Sequence, residues 1–232
     1  MLNMRFVLKR LPGENMTQFI VRVLTGIVFG TAFWSIYLFM PAWVFTATLV
    51  AIALVITLFE WNKLYNPHMR YFWIFLPIYL VLPFVLLIYL NYVPEYRILL
   101  FYLFLLAFAH DTSAYITGSL FGYHKIWPTI SPKKTWEGAA GGLLAVIISL
   151  LIVFAQRHVV WSWWALLLGS VLISIVFVSG DLIESRMKRK AGIKDSGHFL
   201  PGHGGFLDRF DGILFAAFFV FLFRNYLITL LV

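Results

Sequence analysis

The sequence contains no cysteine, which excludes disulfides and thiolate metal sites and leaves the redox compartment unreadable. Charge is also scarce: 12% of the 232 residues are charged, against about 25% in a typical soluble domain. Water cannot therefore be the main solvent of this chain. Several catalytic signatures are missing as well. There is no Walker-type lysine loop, no His-Glu-x-x-His and no Ser nucleophile elbow, so covalent catalysis has no obvious candidate. Internal repeats and low-complexity linkers are absent too. With no inverted repeat and no charge gathered at mid-membrane, a transporter or channel is the weaker alternative.

What the chain does have is apolar length. It is 62% hydrophobic and 19% aromatic, with a mean hydropathy of +0.88. A bilayer-crossing helix needs about 20 apolar residues. The runs predict an all-α, polytopic integral membrane bundle of about seven transmembrane helices, forming a single membrane domain over 1–232. The expected spans are Phe19–Phe39, Ala42–Glu60, Tyr71–Leu90, Ile98–Leu120, Lys133–Phe154, Val160–Ile183 and Phe206–Leu231. The sixth is expected to continue as a helix to Lys190. Pro77 and Pro83 are expected to kink the third, because each removes a helix hydrogen bond. Phe121–Pro132 reads as a loop. The first run begins near Phe19 and others follow at once, so a cleaved signal peptide is not expected.

Charge placement orients the bundle. With seven spans, only Arg97, Arg157 and Arg224 of the 18 Lys and Arg residues fall on one side. The others, beginning with Arg5, Lys9 and Arg10, share the opposite side, which the positive-inside rule makes cytoplasmic. The N-terminus is therefore expected in the cytoplasm. The net charge of +8 reflects topology and anionic lipid head groups rather than nucleic acid.

One polar stretch breaks the apolar pattern. Asp181 to Asp211 holds Asp181, Glu184, Asp195, Asp208 and Asp211, half of the ten acids, beside Arg186, Lys188, Arg189, Lys190, Lys194 and Arg209. Asp208 and Asp211 are three apart, as are Asp181 and Glu184, and that spacing shares a helix face. Two helix ends joined by one loop can turn these carboxylates toward a common point. A hard divalent cation would relieve their repulsion, and magnesium is the usual choice where phosphates complete the shell. Helix caps and salt bridges are the alternative reading of Asp208 and Asp211. Pro201-Gly202-His203-Gly204-Gly205 lies directly before the last span. Glycines there and a helix N-terminus can present N–H groups to phosphate, or the run can be an ordinary loop. Lys188, Arg189 and Lys194 are placed to contact phosphate, while Lys190 suits topology or lipid contact.

Two further motifs carry polarity. In Ser131-Pro132-Lys133-Lys134-Thr135-Trp136-Glu137-Gly138, Ser131 and Pro132 read as the cap and first residue of the fifth helix. Two adjacent lysines beside Thr135 are not explained by a cap, since the dipole at a helix N-terminus disfavours cations unless an anion sits over that turn. His110-Asp111-Thr112-Ser113-Ala114-Tyr115 lies inside the fourth span, where an ionisable residue is either functional or a hydrogen-bonded bundle residue. Together these groups suit metal-assisted phosphoryl or nucleotidyl transfer, in which catalysis is positioning plus charge neutralisation.

The run Ser185-x-Met187-Lys188-Arg189-x4-Lys194-Asp195-x-Gly197-x2-Leu200-Pro201-x-His203-Gly204-Gly205-Phe206-x-Asp208-Arg209-Phe210-Asp211 resembles the signature of the phosphatidate cytidylyltransferase (CDP-diacylglycerol synthase) family. Gly180-Asp181, the Ser131–Gly138 motif and Asp111-Thr112-x-Ala114-Tyr115 are similar to other motifs of that family. The resemblance covers residues 107–225. It divides the domain into N-terminal spans, 1–95, and a catalytic helical core, 96–232. It implies transfer of the cytidylyl group from CTP to phosphatidic acid, giving CDP-diacylglycerol and pyrophosphate for phospholipid biosynthesis. It implies Mg2+ on Asp181, Asp208 and Asp211, with Lys188 catalytic beside them, and leaves room for a second ion, K+. It assigns substrate contacts to Asp111, Ser131, Lys133, Lys134, Thr135, Arg189, Lys194, Asp195, His203, Gly204, Gly205 and Arg209. The partners it implies are CTP, phosphatidic acid and membrane lipid, with a homodimer left open. The place implied is a bacterial-type inner membrane with the active site toward the cytoplasm. Polyprenol kinases and archaeal-lipid cytidylyltransferases are the neighbouring alternatives. The Asp-Gly-x2-Ala-Arg run of CDP-alcohol phosphotransferases is absent.

Overall fold

In the computed structural model of the protein, residues 16–65, 70–157, 162–202 and 204–230 are described, with backbone alone for 16–19, 22, 23 and 157. The basic N-terminal residues Arg5, Lys9 and Arg10, the Asn66-Pro67-His68 loop, His158 and His203 lie outside them. Six helices among the described residues are long and apolar enough to cross a membrane. They are α2 (Ala42–Leu64), α3 (Arg70–Tyr92), α4 (Arg97–Phe121), α5 (Trp136–Arg157), α6 (Trp163–Lys190) and α7 (Leu207–Thr229). Ahead of them runs α1 (Met16–Phe39), whose apolar part, Leu24–Phe39, is shorter. Large apolar side chains such as Leu24, Val28, Trp43, Ile78, Leu168 and Leu222 stay exposed on the outside of the bundle. Hydrocarbon solvates them at no cost, so burial of polar groups and small-residue packing hold the helices together.

The structure adds detail to α2 and α3 and changes one expectation, in the segment before α5. The prolines do not interrupt α3. Leu76–Val81, which contains Pro77, widens into a π-helical turn, and Pro83 falls within the first two positions of the α-helical segment that follows. A second π turn covers Ile56–Glu60 in α2. Ser131 and Pro132 do not start a helix. They begin β2 (Ser131–Thr135), which pairs antiparallel with β1 (Lys125–Trp127), bringing Lys125 opposite Thr135 and Trp127 opposite Ser131. Proline is tolerated because each strand of a two-stranded ribbon is an edge. Helix α5 therefore begins at Trp136, and its cap is Thr135, whose Oγ1 accepts the Gly138 N–H at 3.1 Å. The ribbon is a small addition to an otherwise all-α bundle.

Aromatic packing joins the N-terminal helices to the C-terminal ones. Phe33 of α1 meets Phe45 of α2 and Phe104 of α4 at centroid distances of 5.2 and 4.8 Å. Phe84 of α3 stacks on Phe210 of α7 at 5.7 Å. Such pairs contribute about 0.5–1.5 kcal/mol each beyond their buried area. Phe210 immediately precedes Asp211, so this core fixes the end of α7 on which an acidic group sits.

The α6–α7 crossing is set by two glycines. A methyl on Gly180 would lie 2.8 Å from the Asp211 carbonyl oxygen and 3.0 Å from the Gly212 Cα. Helix backbones approach this closely only where side chains are missing. In sequence the two contacts are Gly180-Asp181 and Asp211-Gly212, so each glycine delivers a neighbouring aspartate to the crossing.

Candidate functional site

At that crossing Asp181, Glu184 and Asp211 each offer a carboxylate oxygen, and these atoms lie within 4.8 Å of one another. Glu184 is fully buried. Its counter-charge is Lys188, one turn along α6. Asp181 is paired with Lys134, which reaches over from β2. Asp211 is buried, accepts its neighbour's N–H from Gly212 at 2.6 Å, and among the described residues has no ion pair of its own. Three carboxylates against two lysines leave a surplus of negative charge. This oxygen-only set fits a hard divalent cation such as Mg2+, and with no thiolate or imidazole in it a softer metal fits less well.

Asp208 is placed differently from the expectation. It shares the first turns of α7 with Asp211, but its carboxylate does not join the three. One oxygen takes the Lys188 Nζ at 2.8 Å. The Ser196 N–H donates to both oxygens at 3.2 and 3.1 Å, and the Gly205 N–H donates to the second at 2.7 Å. The physical reason is competition. The loop 191–206 brings unpaired N–H groups to the helix start, and the nearest carboxylate satisfies them. Glu184 stands with Asp181 and Asp211 instead.

The glycine run is likewise committed. Gly205 donates to Asp208, and Gly204 donates to the Leu200 carbonyl at 3.1 Å while accepting from Leu200 at 3.0 Å. The free N–H groups of Phe206 and Leu207, at the start of α7, go to Glu60 at 2.9 and 2.8 Å. A phosphate cradle was expected here, and two carboxylates of the chain itself fill it. The glycines serve close approach. A Cβ on Gly205 would stand 2.6 Å from Glu60 Oε1, and one on Gly204, whose φ is +87°, would stand 2.5 Å from Asp208 Oδ2.

A cavity of about 500 Å³ opens beside the acidic group. One wall carries Asp181, Lys188, Asp195, Asp208, Arg209 and Asp211. The lining also includes Lys125, Lys133, Lys134 and Thr135 from the β-ribbon, and Asp111 with His110 from α4. His110 is buried, and its Nδ1 is 3.2 Å from Asp111 Oδ1. Apolar groups complete the lining, among them Ala114, Tyr115, Phe177 and Val178. The volume falls in the range of small-molecule sites. A cavity lined by acidic, basic and apolar groups can receive a polyanion and an amphiphile together.

Several residues assigned from sequence lie elsewhere. Arg189 donates from Nε to the Ile130 carbonyl and from Nη1 to the Ile193 carbonyl, each at 3.1 Å, so it ties the ribbon turn to the loop. Lys194 is exposed, and it, Ser131, Gly204 and Gly205 are not among the cavity-lining residues. His203 lies outside the described residues. Sequence reasoning passed over Lys125 and Ser196, and took Glu60 only as the end of a span. The available signal for Glu60 was a single acid at the end of an apolar run, which is costly unless it has a role.

The cytidylyltransferase family model matches residues 5–227. A phosphatidate cytidylyltransferase of Staphylococcus haemolyticus is 49% identical over 114 residues, covering 49% of this chain and 44% of the relative. One from Staphylococcus epidermidis is 50% identical over 114 residues, covering 48% and 43%. One from Staphylococcus aureus (strain COL) is 47% identical over 117 residues, covering 49% and 44%. The matched segments thus span less than half the length of these curated relatives.

Proposed function

Since the chain belongs to the cytidylyltransferase family, we propose that it transfers the cytidylyl group of CTP to phosphatidic acid, releasing pyrophosphate and forming CDP-diacylglycerol. The observation that carries this reading is the meeting of Asp181, Glu184 and Asp211 at the α6–α7 crossing, with Asp181, Asp211, Lys134 and Lys188 lining the cavity. The site is an anion-handling one at the end of membrane helices, which is where a lipid phosphate and a soluble nucleotide can meet.

In the reaction a phosphate oxygen of phosphatidate attacks the α-phosphorus of CTP. The bond from that phosphorus to the bridging oxygen breaks, and its electron pair leaves on pyrophosphate. The attacking oxygen is already anionic at neutral pH, so no general base is required. Asp181 and Asp211, with Glu184, would hold Mg2+, which when bound neutralises charge on the triphosphate and the leaving group. Asp208 lines the same cavity and would join the ligand set only by releasing Lys188. Lys125, Lys133 and Arg209 face the cavity and would take phosphate oxygens. Lys134 and Lys188 hold the carboxylates in place and add positive charge next to the reacting phosphates. The apolar lining at Tyr115, Phe177 and Val178 would keep the acyl chains on the lipid side. By the positive-inside rule, this end of the bundle faces the cytoplasm of a bacterial-type inner membrane.

The test is purified protein in detergent with radiolabelled CTP, phosphatidate and Mg2+. The expected result is a labelled lipid together with pyrophosphate release that depends on both substrates. A phosphorylated lipid with CDP as co-product would make the protein a kinase, and no turnover would overturn the reading.

A further inference from the structure

Glu60 sits on the N-terminal half of the chain, yet it is fully buried against the loop that precedes α7. Its Oε1 accepts the Phe206 N–H at 2.9 Å. Its Oε2 accepts the Leu207 N–H at 2.8 Å and the Ser196 hydroxyl at 3.1 Å. Among the described residues no cation pairs with it. The negative charge is held by N–H groups at a helix N-terminus, where the dipole favours it. Gly197 and Gly205 both leave it room, since a Cβ on either would stand 2.6 Å from Oε1. Phe59, the preceding residue, packs edge-on against Phe199 of the same loop at 5.6 Å. The π turn Ile56–Glu60 ends at this residue, and such turns often occur where a helix re-aims a side chain for function.

The contacts continue inward. Ser196 gives its hydroxyl to Glu60 and its N–H to Asp208. Asp208 holds Lys188, and Lys188 pairs with Glu184 of the acidic group. A continuous polar chain thus runs from α2 to the candidate metal ligands. We propose that Glu60 is a positioning residue: it anchors loop 191–206 and the start of α7, so that Asp208 and Lys188 stand correctly for the nucleotidyl transfer. The inference deepens the proposed function and its kinetic arm rests on that reading.

The test uses Glu60→Gln in the full-length protein. Glutamine has one acceptor oxygen where Glu60 uses two, so at least one donor loses its partner and the amide group confronts another. Two measurements follow. Amide hydrogen exchange over 195–210 should accelerate by about tenfold or more. The kcat per folded molecule should fall by about tenfold or more, with KM for CTP within about threefold, as expected when an arrangement needed in the transition state is lost. Unchanged exchange overturns the anchor, and faster exchange with wild-type kcat overturns the positioning role. Should Glu60→Gln fail to fold, Ser196→Ala keeps the carboxylate and both backbone bonds and removes only the hydroxyl link. It should still lower kcat about threefold or more, and an unaltered kcat there overturns the proposal. If the wild-type protein does not turn over CTP and phosphatidate, the proposed function fails, while the exchange measurement still decides the anchor.

Discussion

Replacing Asp211 by Asn should move stability and activity in opposite directions. The change removes one charge, and it leaves an oxygen to accept the Gly212 N–H. The Asp211 carboxylate oxygen lies within 4.8 Å of those of Asp181 and Glu184. At that separation, and with an effective dielectric of about 20, each repulsion amounts to roughly 3–4 kcal/mol. The Asp181 side chain is 35% exposed, so solvent screens its share. The two lysines trim the rest. A net gain of about 1–3 kcal/mol remains, equivalent to roughly 2–10 °C in melting temperature for a chain of this size. The assay is thermal unfolding in detergent, with EDTA and then with Mg2+. Wild type should melt lower than Asp211→Asn in EDTA and rise with Mg2+, whereas the variant should respond little to the ion and lose turnover. If the variant melts below wild type in EDTA, the three carboxylates are not under mutual repulsion, and the argument for a cation there fails.

Three further changes probe neighbouring parts of the site. Asp208→Asn should abolish turnover while the protein still inserts, because it removes one of the two charges that hold Lys188 in place and leaves the pair with Glu184 intact; substantial activity at ordinary Mg2+ would remove Asp208 from the machinery. Lys133→Ala combined with Lys134→Ala should mainly raise the KM for CTP or phosphatidate, by about tenfold or more; kinetics identical to wild type would reduce the ribbon lysines to topology signals. Gly180→Ala forces a methyl to within 2.8 Å of the Asp211 carbonyl, so it should cost about 1–3 kcal/mol of stability and raise the Mg2+ concentration for half-maximal rate. A variant with wild-type metal dependence would show that the crossing does not set the distance between the acids.

The helical runs were legible because hydrocarbon imposes one requirement, apolar length, and Ala42–Leu64 or Leu207–Thr229 meet it on composition alone. The β-ribbon was not. Ser131-Pro132 suits a helix start equally well, and only pairing with Lys125–Trp127, which local preference does not record, decides the matter. At Pro77 the loss of one donor was readable, but the local form of the response, a π-helical turn over Leu76–Val81, was not. The acidic group shows the same limit more sharply. Spacing places Asp208 and Asp211 on one helix face, but it says nothing of which donors compete for each carboxylate. Loop N–H groups capture Asp208, and Glu184, equally spaced from Asp181, stands with Asp211 instead. Glu60 lay furthest from view, since its partners are Ser196, Phe206 and Leu207 at the other end of the chain. A buried acid at the end of an apolar helix is tolerated only where dipoles are already fixed to receive it. Loop 191–206 supplies those dipoles, so the N-terminal helices are bound to the site by charge as well as by packing.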